Sequence, residues 1–309
     1  MTERLMTDDD LPIVDAHHHL WDLDGPIRYP WLDPAGYSRF GDHSRFCRSF
    51  LPPEFRRATA LHNVVATVHV EAECDRAYQV AETEWLTRMH AQYGMPNAIV
   101  AHAWIDTDDA EDILAQQKAF PLVRGIRTKP AIATGPTGSV RGQPRSLQDP
   151  KWRKGLELLE KYDLSWDLRV PWYHLEETAE VCREHPSLRI VLNHTGYPMD
   201  RSKEQLAVWK RGMEALASCP NVWCKISGLT VQNRPWTLAV NGAVIRETIG
   251  MFGVDRCMFA SNHPVDGLKA SWDWIFCQFK YVTAGLSWAD RRQLFADNAI
   301  KFYRITLPT

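Results

Sequence analysis

The stretch Ile13-Val14-Asp15-Ala16-His17-His18-His19-Leu20 begins apolar and then turns polar at every second residue, at Asp15, His17 and His19. Side chains two apart on a β-strand share a face. The spacing therefore predicts a strand whose end brings two imidazoles to one point, with His18 turned the other way as a structural residue. Imidazoles so placed can ligate zinc or another borderline metal, bind an anion, or move a proton. Charge at the end of a buried strand is costly unless something there uses it. The run is internal, which sets it apart from an appended tag.

Working outward, further short apolar runs recur near 64–71, 98–105, 123–129, 165–170, 189–195, 222–228 and 256–262. Amphipathic stretches lie between them, over 77–92, 110–119, 152–162, 175–184, 205–217 and 240–251. This alternation implies parallel strands joined by crossover helices, and about eight such units close a (β/α)₈ TIM-like barrel. A chain of 309 residues is ordinary for such a barrel as one domain over residues 1–309. The competing doubly wound sheet usually carries a glycine-rich phosphate turn after its first strand, and none is present. Two segments read as long loop excursions at the barrel mouth. One is 22–62, with Pro26, Pro30, Pro34, Pro52 and Pro53; the other is 130–151, around Thr134-Gly135-Pro136-Thr137-Gly138, read as a mobile loop or lid. Residues 288–303 read as a closing helix that contains Asn298.

The formal net charge is −2, so there is no general basic field for nucleic acid or an anionic membrane. No run reaches the apolar length of a membrane span, and the first ten residues are polar and acidic, unlike a secretory leader. Seven cysteines, an odd number with no Cys-x-x-Cys pair, point to reduced thiols in a reducing compartment. The expectation is a soluble cytoplasmic protein. Its 13 tryptophans read mostly as core and loop anchors, with one or two placed to stack on a ring-shaped ligand.

Charge within the apolar runs collects at their C-terminal ends. Strand two ends in His69 and Glu71, strand four in Arg127 and Lys129, and strand five carries Asp167 and Arg169. Strand six leads into His194-Thr195-Gly196, strand seven offers Lys225 and Ser227, and strand eight ends in Ser261-Asn262-His263-Pro264. Barrel enzymes draw their catalytic groups from the ends of several strands on that one face. Glu71 could orient a histidine or hold a metal. The planar fork of Arg127 suits a substrate carboxylate. Lys225 either reaches substrate or pairs with Glu71 or Asp167. A buried strand leading to His194 and then glycine reads as a site.

Asp15-Ala16-His17-His18-His19 resembles the Asp-x-His-x-His opening of amidohydrolase-superfamily barrels. With His69-Val70-Glu71-Ala72, Gly125-Ile126-Arg127, Leu192-Asn193-His194-Thr195-Gly196, Lys225-Ile226-Ser227-Gly228-Leu229 and Met258–Asp266, the chain is similar to the amidohydrolase 2 group. Within it, the sugar-lactonase and 2-pyrone-4,6-dicarboxylate lactonase branch is the most similar. The resemblance runs from Ile13 to about Tyr303.

The resemblance implies a distorted barrel that hydrolyses a lactone, of a sugar acid or an aromatic-catabolism intermediate. Under it His17, His19 and His194 surround the scissile group, and they are also the metal ligands if a metal is present. Such families usually carry an aspartate after strand eight that activates water; here the position is Asn262. An amide has no acid–base role at neutral pH and is a poorer metal ligand than a carboxylate. The proton acceptor therefore moves to His263 or Asp266, with Glu71, Arg127 and Lys225 contacting substrate. Zinc is allowed but not favoured. The expected partner is a small anionic or polyhydroxylated lactone, and a homo-oligomer is left open. Two rival readings share the barrel: a lactone isomerase or non-oxidative decarboxylase, and an inactive barrel that acts as a binding protein.

Overall fold

The structure, a computed structural model, describes residues 7–35 and 42–307. Eight strands pair in chain order, all in parallel: β1 (Ile13–His18), β2 (Val64–Val70), β3 (Ala98–His102), β4 (Val123–Arg127), β5 (Ser165–Leu168), β6 (Ile190–Leu192), β7 (Val222–Ile226) and β8 (Cys257–Phe259). The ring closes at its C-terminal end. There the His19 N–H donates to the His263 carbonyl and the Asn262 N–H to the His17 carbonyl, both at 2.8 Å. This is the (β/α)₈ barrel that the alternation predicts.

The helices are α1 (Pro52–Thr59), α2 (Gln79–Tyr93), α3 (Ala110–Lys118), α4 (Pro150–Lys161), α5 (Leu175–Glu184), α6 (Lys203–Ala217), α7 (Leu238–Phe252), α8 (Trp272–Val282), α9 (Trp288–Arg292) and α10 (Asn298–Tyr303). Their starts follow local chemistry. Asp149 caps α4 ahead of Pro150, and Ser271 Oγ accepts from Trp274 N at 3.1 Å to begin α8. The first excursion holds a helix that the sequence reading assigned to loop. Pro52-Pro53 marks the opening of α1, because proline fits the first helical turn. Residues 36–41 of that excursion lie outside the described residues. α8 falls where the sequence reading placed no element. The second excursion carries no helix or strand from 128 to 149. It is pinned by Ala131 N to Arg145 O at 2.9 Å, Ala133 N to His174 Nε2 at 2.9 Å and Tyr173 hydroxyl to Ala133 O at 2.9 Å.

Residues alternate between two apolar clusters. Ile99, Ile126, Trp166, Ile190, Leu192, Ile226 and Phe259 belong to the large cluster shared with the helices. Val14, Ala16, Val68, Val100, Val191 and Met258 form the inward set, joined by Phe302 and Tyr303 of α10. Ring contact between Trp223, near the start of β7, and Phe302 (5.5 Å) places α10 at the N-terminal foot of the barrel. The strands end sooner than the sequence reading allowed. His19, Lys129, Arg169, His194, Ser227 and Asn262 all lie just past them, at the mouth. No helix among the described residues is long and apolar enough to cross a membrane.

Candidate active site

His17 lies in β1 and His19 one residue beyond it. Their rings meet edge to face with centroids 5.0 Å apart, and the His194 ring lies 4.4 Å from that of His17. All three are buried. Asp15 does not join them. Its carboxylate accepts from Ser261 N (2.9 Å), Ser261 Oγ (2.6 Å) and Trp272 Nε1 (2.8 Å). The pairing of β1 with β2 slips between Asp15 and His18, and a one-residue slip changes the face presented. The simple alternation read from the sequence therefore fails at Asp15. His18 packs on Phe55 of α1 with centroids 4.5 Å apart, turned away as expected. His69 lies beside His18, with Nε2 3.2 Å from the Leu20 carbonyl.

The backbone at His194, Thr195, Gly196 and Tyr197 is left-handed in succession, with φ of 58°, 52°, 70° and 51°. Such angles are uncommon outside glycine and are outliers for a β-branched residue, so the surroundings must hold them. Thr195 O accepts from Trp209 Nε1 at 2.7 Å, and His194 Nδ1 pairs with Ser227 Oγ at 2.8 Å. Gly228 lets this happen. A Cβ there would lie 2.4 Å from His194 Nδ1, and its φ is +60°.

Arg127, at the end of β4, turns its fork onto Glu71. Nε donates to Glu71 Oε1 at 2.5 Å and Nη2 to the Glu71 carbonyl, while Nη1 lies 3.5 Å from His17 Nε2. This corrects the expectation of a fork open to a substrate carboxylate: only Nη1 faces the histidines. Glu71 is likewise committed to Arg127 and to the Glu73 N–H (2.6 Å). Burial opposes charge on Glu71, but Arg127 and then Lys129 outweigh it and bring its pKa down to about 2. Lys225 is also engaged. Its ammonium lies 2.5 Å from Asp167 Oδ1, which accepts from the Tyr303 hydroxyl at 2.9 Å, so of the two expectations for Lys225 the ion pair with Asp167 is the one observed.

Sequence reasoning missed Glu73 and Tyr197. Lys129 Nζ is 2.5 Å from Glu73 Oε1, Arg169 Nη1 is 3.7 Å from the same atom, and Arg169 Nε donates to the Tyr197 hydroxyl at 2.9 Å. The period of two that selects His69 and Glu71 continues to Glu73, so a signal existed. Tyr197 is placed by the left-handed run after β6, which no spacing announces.

His19 leads to strand eight. Its Nδ1 is 2.7 Å from the Val70 carbonyl, which can only accept, so Nδ1 carries a proton. Its Nε2 is 3.3 Å from Asn262 Oδ1, and Asn262 Nδ2 donates to Asp266 Oδ1 at 2.9 Å. Burial and then Arg127 lower the His19 pKa to about 4, and burial raises that of Asp266 to about 7. His17 and His194 are held well below the ordinary imidazole range, by burial first and then by His194 and Arg127 respectively. His263 stands apart. It packs on Phe50 (5.4 Å) and lines a neighbouring pocket of about 170 Å³ with Arg45, Phe46 and Arg48.

A family model described as amidohydrolase matches residues 14–305. The chain belongs to the amidohydrolase family. This hydrolase is 38% identical over 297 residues to the uncharacterized protein y4mH of Sinorhizobium fredii, with 96% of this chain and 99% of the relative covered. It is 27% identical over 310 residues to an L-fucono-1,5-lactonase of Burkholderia ambifaria, covering 96% and 97% of the two chains. A crystal structure of an amidohydrolase from Burkholderia multivorans with bound zinc has the same fold. Its TM-score is 0.80 at 24% identity, over 95% of this chain and 99% of that one.

The mouth donors of this amidohydrolase do not suit such an ion as they stand. A guanidinium nitrogen lies 3.5 Å from His17 Nε2. Strand eight supplies an amide, Glu71 is held by Arg127, and Asp266 is held by Asn262. Among the described residues, the one trio whose ligand atoms all lie within 4.8 Å of one another is His62, Asp273 and Cys277, outside this site.

Proposed function

We propose that this amidohydrolase opens a lactone, of a sugar acid or an aromatic-catabolism intermediate, by attack of water at the barrel mouth. The observation that carries this reading is the chain of contacts from Val70 O through His19 and Asn262 to Asp266, set beside His17, His194 and Arg127. The likeness to a fuconolactonase supports the choice of a cyclic ester.

The contacts give each group a role. With its proton on Nδ1, neutral His19 offers the Nε2 lone pair to water. Water loses a proton to Nε2 as its oxygen bonds to the lactone carbonyl carbon. The imidazolium so formed donates to both Val70 O and Asn262 Oδ1. Asp266, ionised, holds the Asn262 amide with its oxygen toward His19. The base is thus His19, and Asp266 positions it through Asn262, where the sequence reading gave the proton to Asp266 or His263. Arg127 Nη1 and His194 Nε2, the ring nitrogen not turned to Ser227, face the oxyanion that develops. The ring C–O bond then breaks, and the proton on His19 passes to the leaving alkoxide. No step is routed through a metal.

The test is a lactone panel followed by proton release and product mass. A gain of one water, with activity kept after exhaustive chelation, is the expected result. Loss of carbon dioxide, or rearrangement without a proton released, would replace hydrolysis with decarboxylation or isomerisation.

A further inference from the structure

We infer that His62, Asp273 and Cys277 form a second, separate site, which binds a thiophilic divalent cation such as zinc. His62 lies two residues before β2, at the N-terminal end of a strand whose other end faces the catalytic histidines. Its Nε2 is 2.9 Å from Asp273 Oδ1, and Cys277 Sγ is 3.7 Å from that same oxygen. Asp273 and Cys277 are four apart on α8 and so share a face. This is the helical spacing that lets paired ligands meet one ion.

The donors suit the ion chemically. Zinc bonds of about 2.0–2.3 Å to nitrogen, oxygen and sulfur put tetrahedral ligands roughly 3.3–3.8 Å apart. The observed 3.7 Å falls in that range, and the 2.9 Å contact must open by a few tenths of an ångström. Asp273 and Cys277 are exposed enough to move. The His62 ring is fixed, packed on Trp272 (5.0 Å) and Phe276 (6.5 Å) with 3% of its side chain exposed. In the ion-free contact Nε2 carries the ring proton that meets Asp273 Oδ1, and ligation moves that proton to Nδ1. A thiolate and a carboxylate together balance a divalent charge. Binding converts the Cys277 thiol to thiolate and releases one proton.

The surrounding charge is mixed. Asp8 and Asp9 face the cluster from the N-terminal arm and Lys280 from α8, while Asp8 is paired with Arg291 at 2.7 Å. Nε2 as ligand leaves the ring proton on Nδ1, which is buried without a partner. Metal-bound histidines usually donate that proton to an acceptor. The expected affinity is therefore micromolar, weaker than a closed structural zinc site. The ion would tie α8 to the α1–β2 connection.

Cobalt(II) is the probe, titrated into the full chain after chelator treatment. Cobalt bound to a thiolate gives a near-ultraviolet charge-transfer band. The catalytic histidines have no cysteine among their partners, so binding at the mouth cannot mimic it. One equivalent of band is expected in the wild type, none in Cys277→Ser, and at least tenfold weaker binding in His62→Gln. Zinc should raise the melting temperature of the wild type by a few degrees and leave Cys277→Ser unmoved, with lactone hydrolysis equal in both. A missing band in the wild type, or one that survives in Cys277→Ser, overturns the proposal. Equal zinc stabilisation of the two proteins does the same.

Discussion

His17, His19 and His194 at the barrel mouth have Arg127 as close as 3.5 Å and an amide, Asn262, where strand eight delivers its polar group. His62, outside the barrel, has Asp273 at 2.9 Å and Cys277 one helical turn along α8. The first cluster has the sequence pattern of a metal centre but lies among cations and a neutral amide. The second shows in the sequence only the four-residue spacing of Asp273 and Cys277, with His62 211 positions from Asp273, yet its donors carry the charge a divalent ion needs. An ion is attracted by the whole donor set, and two histidines at ligand spacing are only part of one. The mouth arrangement instead favours neutral imidazoles and a positive field, which suit base catalysis and a developing oxyanion.

The comparison is tested hardest by removing the proposed base. His19→Asn should lower kcat by about 10²–10⁴-fold in steady-state hydrolysis, with the circular dichroism spectrum unchanged. A fall under tenfold would take the base away from His19. Next comes the backbone approach that seats His194. Gly228→Ala puts a methyl into the imidazole at a left-handed position, and a loss in kcat/KM of about 10²-fold is expected from the displaced ring. Ordinary activity in this variant would mean that His194 can move without consequence.

Arg127→Lys keeps the charge but cannot reproduce both contacts to Glu71. Activity should fall by about tenfold, with unfolding in urea showing a loss of about 1–3 kcal/mol for the poorly satisfied buried carboxylate. Unchanged stability would show that the fork on Glu71 does not matter. Asn262→Asp makes the mouth resemble the outer cluster by adding a carboxylate beside His19. The zinc affinity of the mouth should then rise by at least about tenfold, read by competition with a chromophoric chelator in a Cys277→Ser background. No gain would leave Arg127 as the feature that excludes the ion.

The smallest effect concerns pH. The Asp266 carboxyl is pushed up to about 7, and its ionised form holds Asn262 with the amide oxygen toward His19. Activity should therefore rise as pH increases through 7, by about tenfold between pH 6 and 8 for a single group. In Asp266→Asn that limb should flatten. A rising limb that persists in the variant would belong to another group.

The barrel was legible because its signal is local and repeated. Apolar runs of strand length alternate with amphipathic stretches, and each run bears polar groups at the same end. His17, His19 and His194 were legible for the same reason, as was the separate orientation of His18. The failures share one cause. Strand alternation puts Asp15 on the face of the histidines because it takes no account of a register slip in pairing with β2. Arg127 reads as open to substrate because its counter-ion, Glu71, is 56 residues away in sequence, and for the same reason spacing alone leaves Lys225 undecided between substrate and Asp167, 58 residues away.

The sequence by itself determined which residues reach the strand ends, because residue spacing along a strand dictates direction and depth. Tertiary structure alone decided which of those charges neutralise one another. Closure of β8 onto β1 places Asn262 and Asp266 behind His19, and the approach of α8 to the α1–β2 connection brings His62 to Asp273 and Cys277. Electrostatic partnership depends on distance in space, and a folded barrel joins residues more than two hundred positions apart, as in the contact of His19 with Asn262.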